Sequence, residues 1–336
     1  MTDLSAVAAA ASRAAVTAAA SLGVAGTEPA VLADGANVIV HLRPSPVVAK
    51  VAASTTAIRP DPGAWLQREL GVAGFLAGAG APVMTPSPQV PATAHEAEGH
   101  VMSFWTYLKP ADGWPPDEAT VGAMLRDLHG ALRAYPTPLP TLPPWGDIPA
   151  FLARPASRLS AADAAMLGEA FSRLTDDLTS ASDGAPMQAL HGDAGVGNLM
   201  ATDGGWVWHD FEDCGSGPVA WDLAATTASP RLNGDRILAA YGEPVDLAQL
   251  RACERMRRLH LTIWYALYAE RLPECEQRAA ELLANWRTPW PLADLAASVA
   301  SVASAVTRRR AARVARRPPR GRPGRRSTRR RKSRQG

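Results

Sequence analysis

LHGDAGVGNLM, residues 190–200, is the stretch from which the rest of the chain is read. Apolar residues lead into His191-Gly192-Asp193, so Asp193 stands on a glycine-bordered turn, and Asn198 follows five residues later at the start of a strand-like run. Residues 199–202 and 206–210 are short strands joined by Asp203-Gly204-Gly205, a strong hairpin signal. Such a ribbon brings Asp210 back alongside Asn198. One carboxylate to orient an attacking hydroxyl, plus an Asp and an Asn as oxygen ligands, is the minimum that phosphoryl transfer asks of a protein. Those ligands suit Mg²⁺, which takes few protein groups and completes its shell with water and phosphate. An Asx turn capping the hairpin is the structural alternative for Asp193 and Asn198. Asp210, a second carboxylate in register, shifts the balance toward chemistry.

Upstream, residues 36–42 (ANVIVHL) and 46–52 (PVVAKVA) are β-branched runs split by Arg43-Pro44-Ser45, and they predict a hairpin. Residues 64–76 follow with helical spacing of Trp65, Leu66, Leu70, Ala73 and Leu76, until glycines and prolines at 78–91 break it. Residues 101–108 (VMSFWTYL) are aromatic and β-like, and Pro110, Pro115 and Pro116 then mark a boundary. Beyond it, helices are expected at 117–133, 161–180, 221–227, 235–241, 247–271, 274–285 and 292–306. The fold class is therefore α+β. A small antiparallel-sheet lobe spans 1–108, a larger, mainly helical lobe spans 109–306, and an Arg-rich tail at 307–336 has too little apolar surface to fold.

Lys50 stands out because the chain has three lysines against 32 arginines. Placed in an apolar strand, its compact ammonium can meet phosphates, or it can be an edge-strand charge reaching solvent.

Composition excludes several classes. With 47% apolar and 20% charged residues, the 336-residue chain is globular. Fifteen of its 35 Lys and Arg lie in residues 308–336 without an acid, leaving 20 bases against 32 acids and about −12 over residues 1–307. The tail is expected to be solvated, with non-specific attraction to polyanions at low salt. Cys214, Cys253 and Cys275 are too scattered for a disulfide framework or a zinc site. The Ala-rich start, interrupted by Asp3 and Arg13, reads as an amphipathic helix of a cytoplasmic protein and not as a signal or membrane span.

From His191 to Ala224 the sequence shows an HGD loop, an Asn five residues after its Asp, and a hairpin ending in Asp210-Phe211. A Gly-Pro pair and Trp221-Asp222-Leu223-Ala224 follow. This order resembles the aminoglycoside phosphotransferase and choline kinase-like family. The resemblance implies a bilobal protein-kinase-like fold and an ATP-dependent kinase acting on a small-molecule hydroxyl, such as that of an aminoglycoside, amino sugar or amino alcohol. By the same resemblance Asp193 is the catalytic base, Asn198 and Asp210 bind the Mg²⁺ of Mg-ATP, and His191 and Asp222 support the loop. Glu69 would hold Lys50, or be a surface Glu beside Arg68. Residues 101–108 look like the adenine-contacting hinge, with Phe104 and Trp105 lining the pocket or packing in the core.

The family's acceptor pocket is formed by C-terminal helices, which here include residues 259–277. Trp264, Tyr265 and Tyr268 can stack on a ring or cation or be core, and Glu270, Glu274 and Glu276 can pair with amines. Glu212 and Asp213, next to Asp210, are further acceptor candidates. His129 and His209 are expected to be packed or solvated. One departure is the absence of GxGxxG: residues 32–37 (LADGAN) offer only Gly35. That departure keeps open an alternative, a nucleotide-binding pseudoenzyme or adaptor whose basic tail docks on nucleic acid or an acidic partner.

Overall fold

The computed structural model describes residues 6–26, 28–154 and 159–287. The helix expected at 292–306 and the tail at 307–336 lie outside them. Helix α1 (Ala6–Ser21) buries Ala8, Ala11, Ala14, Ala15, Ala18 and Ala19, a stripe at helical spacing whose small side chains let it lie close on a sheet. That sheet has five antiparallel strands in the order β1-β2-β3-β5-β4. Its strands are β1 (Glu28–Asp34), β2 (Asn37–Arg43), β3 (Val47–Ala52), β4 (His95–Ala97) and β5 (His100–Thr106). Every residue of β3 is buried, Lys50 included. Helix α2 (Pro62–Gly78), capped by Asp61 accepting from the Ala64 amide at 3.0 Å, buries Glu69.

The predicted hairpin is β2–β3. Strand β1 was not expected, since its EPAVLAD sequence is half-exposed and its pairing with β2 is what makes it a strand. The LADGAN turn is consequently the β1–β2 connection.

Segment 82–87 stitches the sheet to the helical part: Met84 N–H donates to Trp208 O at 2.8 Å and Thr106 N–H to Thr85 O at 3.0 Å. The helical part holds α3 (Glu118–Leu132), α4 (Pro144–Leu152), α5 (Ala161–Ala181), α6 (Ala220–Thr227), α7 (Gly234–Tyr241), α8 (Leu247–Tyr268) and α9 (Glu276–Arg287). Side-chain caps from Asp117, Ser160, Asn233 and Asp246 start α3, α5, α7 and α8. Two ribbons sit among them: β6 (Gln188–Leu190) with β9 (Gly215–Gly217), and β7 (Leu199–Thr202) with β8 (Gly205–Trp208). Helix α4 escaped the sequence reading because Pro143, Pro144 and Pro149 look like breakers. Burial of Ile148 and Phe151 overrides that signal. Among the described residues no helix is long and apolar enough to cross a membrane.

Candidate active site

Strand β6 delivers the chain to His191-Gly192-Asp193. Gly192 has φ +86°, and a Cβ there would lie 1.8 Å from the Asp213 carbonyl oxygen, so this corner admits only glycine. Asp222, fully buried on α6, accepts from the amides of His191 and Gly192, each at 2.9 Å, and from His129 Nε2 at 3.2 Å. Burial opposes its ionisation, but the His129 hydrogen bond and the other polarity around it hold its carboxyl below the usual range. Trp221 Nε1 donates to Gly192 O at 2.7 Å and Thr226 Oγ1 to Ala194 O at 2.7 Å. His191 lies over Phe211, with Nε2 at 3.0 Å from the His209 carbonyl and Nδ1 accepting from the Asp193 amide, which puts the ring proton on Nε2.

The Asp193 carboxylate projects from this loop and is 44% exposed. Asn198 Nδ2 donates to its Oδ2 at 3.1 Å and to its backbone carbonyl at 2.7 Å, which leaves the Asn198 amide oxygen as the acceptor for a cation. Arg257 of α8 donates to Asp193 Oδ1 and, at 2.8 Å, to Gly192 O, with its guanidinium 5.1 Å from the Trp221 ring centre. Sequence reasoning missed Arg257, one of 32 arginines and 64 residues from its partner. Its only signal was a place on one α8 stripe with His260, Trp264 and Tyr268.

Lys50 Nζ reaches Glu69 at 2.9 and 3.0 Å, Asp210 Oδ1 at 2.5 Å and Glu212 at 2.9 Å. The Glu69 pairing and the return of Asp210 beside Asn198 are thus present, the latter fixed by His209 N–H on Asn198 O at 3.0 Å. Burial resists the charge on Lys50, and the three carboxylates more than restore it. The same crowding works against the acids. Burial, together with Asp210 and Glu212, pushes Glu69 up to about 8 despite Lys50.

Asp210 itself is held down to about 2, its burial outweighed by the Lys50 charge and hydrogen bond and by His209. It is one of two non-glycine residues with positive φ among the described residues (+66°), and its carboxylate is 39% exposed. More carboxylate than ammonium around an open cavity is a donor set that fits a hard divalent cation. Among the described residues no three His, Cys, Asp or Glu converge as a metal cage. Asn198 and Asp210 would be the two oxygen donors to such a cation, with water and phosphate completing its shell.

Asp193 and Asp210 open into a cavity of about 140 Å³ whose other walls include Glu212, Asp213, Trp264 and Tyr268. Tyr265, Glu274 and Glu276 do not line this cavity, and four of the eight acceptor candidates are thus gathered. Glu270 is not: it forms a two-pronged pair with Arg154 at 3.0 and 2.8 Å, away from the cavity. Asp213 pairs with Arg59 at 2.8 Å, and Arg59 grips Asp147 at 2.9 and 2.5 Å. Phe104 also departs from expectation. Side chains alternate along β5, so Phe104 packs with the α1 alanines, whereas Trp105 and Ser103 share the Lys50 face. His129 is packed, as expected, and is wholly buried. A larger hollow of about 640 Å³, beside Trp65, Arg68 and Trp145, contains none of Asp193, Asn198 and Asp210.

A two-lobed fold with this loop, hairpin and buried Lys–Glu pair defines a small-molecule kinase. The chain belongs to the APH phosphotransferase enzyme family, whose sequence model matches residues 34–253. Among solved structures, a choline/ethanolamine kinase family protein from Mesorhizobium loti aligns with a TM-score of 0.54 at 19% identity, over 83% of this chain and 93% of its own. Amicoumacin kinase, in complex with AMP-PNP, Ca²⁺ and Ami, aligns with a TM-score of 0.55 at 13% identity, over 78% and 89%. An aminoglycoside phosphotransferase from Streptomyces rimosus gives 0.51 at 17%, over 72% and 95%. At these identities the likeness is one of fold. No curated protein matches the chain.

Proposed function

We propose that the chain transfers the γ-phosphate of ATP to a hydroxyl of a small, amine-bearing molecule. The observation that carries this reading is the shared cavity: Asp193 and Asp210 face it together with Glu212, Asp213, Trp264 and Tyr268. Mg-ATP, when bound, supplies the electrophilic phosphoryl group. Asp193 accepts a hydrogen bond from the acceptor hydroxyl, aims its oxygen and takes its proton as the new P–O bond forms and the bond from the γ-phosphorus to the bridging oxygen breaks, ADP being the leaving group. Arg257 and Asn198 fix the rotamer of that carboxylate, while Asp222 and Gly192 fix the loop beneath it. Asn198 and Asp210 offer oxygens to the metal. Lys50, oriented by Glu69, turns its ammonium to the phosphates. Of the described residues, those up to 108 form the nucleotide lobe in this reading and those from 109 to 287 the catalytic and acceptor lobe.

Glu212, Asp213, Trp264 and Tyr268 in the cavity lining favour an ammonium. Measuring ADP release with Mg²⁺ over amino alcohols, single amino sugars, aminoglycosides and macrolides tests this. Turnover is expected with at least one amine-bearing class, and no ADP release above background with any of them would overturn the acceptor reading.

A further inference from the structure

The turn between β1 and β2, residues 34–36, has one glycine where a self-folding phosphate loop has several. It is held instead from outside. Arg271, three residues past the end of α8, donates from Nη1 to the Asp34 carboxylate, from Nη2 to the Gly35 carbonyl and from Nε to Ser54 Oγ, the last at 2.9 Å. Thr55 takes the next carbonyl, Ala36 O, through its amide at 3.3 Å and its hydroxyl at 3.2 Å. Asn37 then ties the start of β2 to Glu212 at 2.5 Å. Ala36 is thereby placed in the wall of the cavity that holds Asp193 and Asp210. The chain leaving the helix that carries Trp264 and Tyr268 thus holds the turn that contributes Ala36 to the same cavity.

We infer that Arg271 is a positioning residue for the nucleotide: it fixes residues 34–36 over the phosphates and replaces, from the helical lobe, the grip that a glycine-rich loop would generate locally. The inference rests on the reading of this cavity as a Mg-ATP site. All three edges of the guanidinium are used, so lysine, a point charge, reproduces only part of the contact. A salt bridge that merely joined the two lobes would change stability and leave nucleotide affinity alone.

Calorimetric titration of the full chain with Mg²⁺ and AMP-PNP, without acceptor, separates the two. Arg271→Gln is expected to weaken binding about tenfold, equivalent to about 1.4 kcal/mol. Arg271→Lys should recover part of the loss, and Asp34→Asn should lose less and not add to Arg271→Gln. Thermal melts without nucleotide establish that each variant is folded. Unchanged affinity in folded Arg271→Gln overturns the inference. Should that variant not fold, unchanged affinity in both Arg271→Lys and Asp34→Asn overturns it instead. A wild-type chain that binds no nucleotide overturns the reading of the site and the inference with it.

Discussion

Residues 191–194 and residues 34–36 border the same cavity, one from the helical lobe and one from the sheet lobe, and they are anchored in different ways. The backbone of the Asp193 loop is locked mainly by partners within about 30 residues, Trp221, Asp222 and Thr226, and by a corner that admits only Gly192, with Arg257 adding a single more distant cation. The Asp34 turn depends on a cation more than 230 residues away, Arg271, and on Ser54 and Thr55. The segment holding Ser54 and Thr55 is in turn pinned by Arg59 on Asp147 of α4. The first region carries its geometry in a local motif. The second borrows it through long-range ion pairs, which bind firmly only while both partners stay charged and in place.

That contrast can be broken most severely at Asp222. Asp222→Ala leaves two amides and His129 without their acceptor inside the protein, so urea unfolding should show a loss of about 3–5 kcal/mol. A loss below about 1 kcal/mol would mean that the loop does not depend on this anchor. A smaller effect sharpens the other half of the contrast. Burial disfavours the charged form of Asp147, but Arg59 and His260 hold its carboxyl down to about 2. A depressed acid stabilises the fold above its unfolded pKa, near 3.9, and loses that contribution as pH falls through its folded pKa. Wild type should therefore exceed Asp147→Asn by about 2 kcal/mol at pH 7, with the gap closing between about pH 4 and pH 2. A gap independent of pH would show that the Arg59 anchor is not ionic.

The same contrast explains what was legible in the sequence. Asp193, Asn198, Asp210 and Asp222 were readable because a hairpin and a fixed spacing place them within one short stretch. Lys50 and Glu69 were readable through the scarcity of lysine and the strand–helix order that resemblance supplied. Arg257, Arg271 and the Arg59–Asp147 pair were not. Their partners lie between 64 and 237 residues distant, and in a chain that uses arginine for nearly all its positive charge nothing local distinguishes them. Glu270 and Phe104 misled for a related reason. Periodicity gives a face of a helix or strand, but the identity of the neighbour on that face, Arg154 or the α1 alanines, is tertiary. Strand β1 and helix α4 depend on their partners in the same way.

The central claim is that Asp193 orients the acceptor hydroxyl in a phosphoryl transfer, and Asp193→Asn tests it most directly. The substitution keeps the size of the side chain and removes its charge. With an accepted amino alcohol or amino sugar, ADP release should fall on the order of a thousandfold. AMP-PNP affinity with Mg²⁺ should stay within about twofold of wild type. Turnover near the wild-type rate in that folded variant would contradict the account.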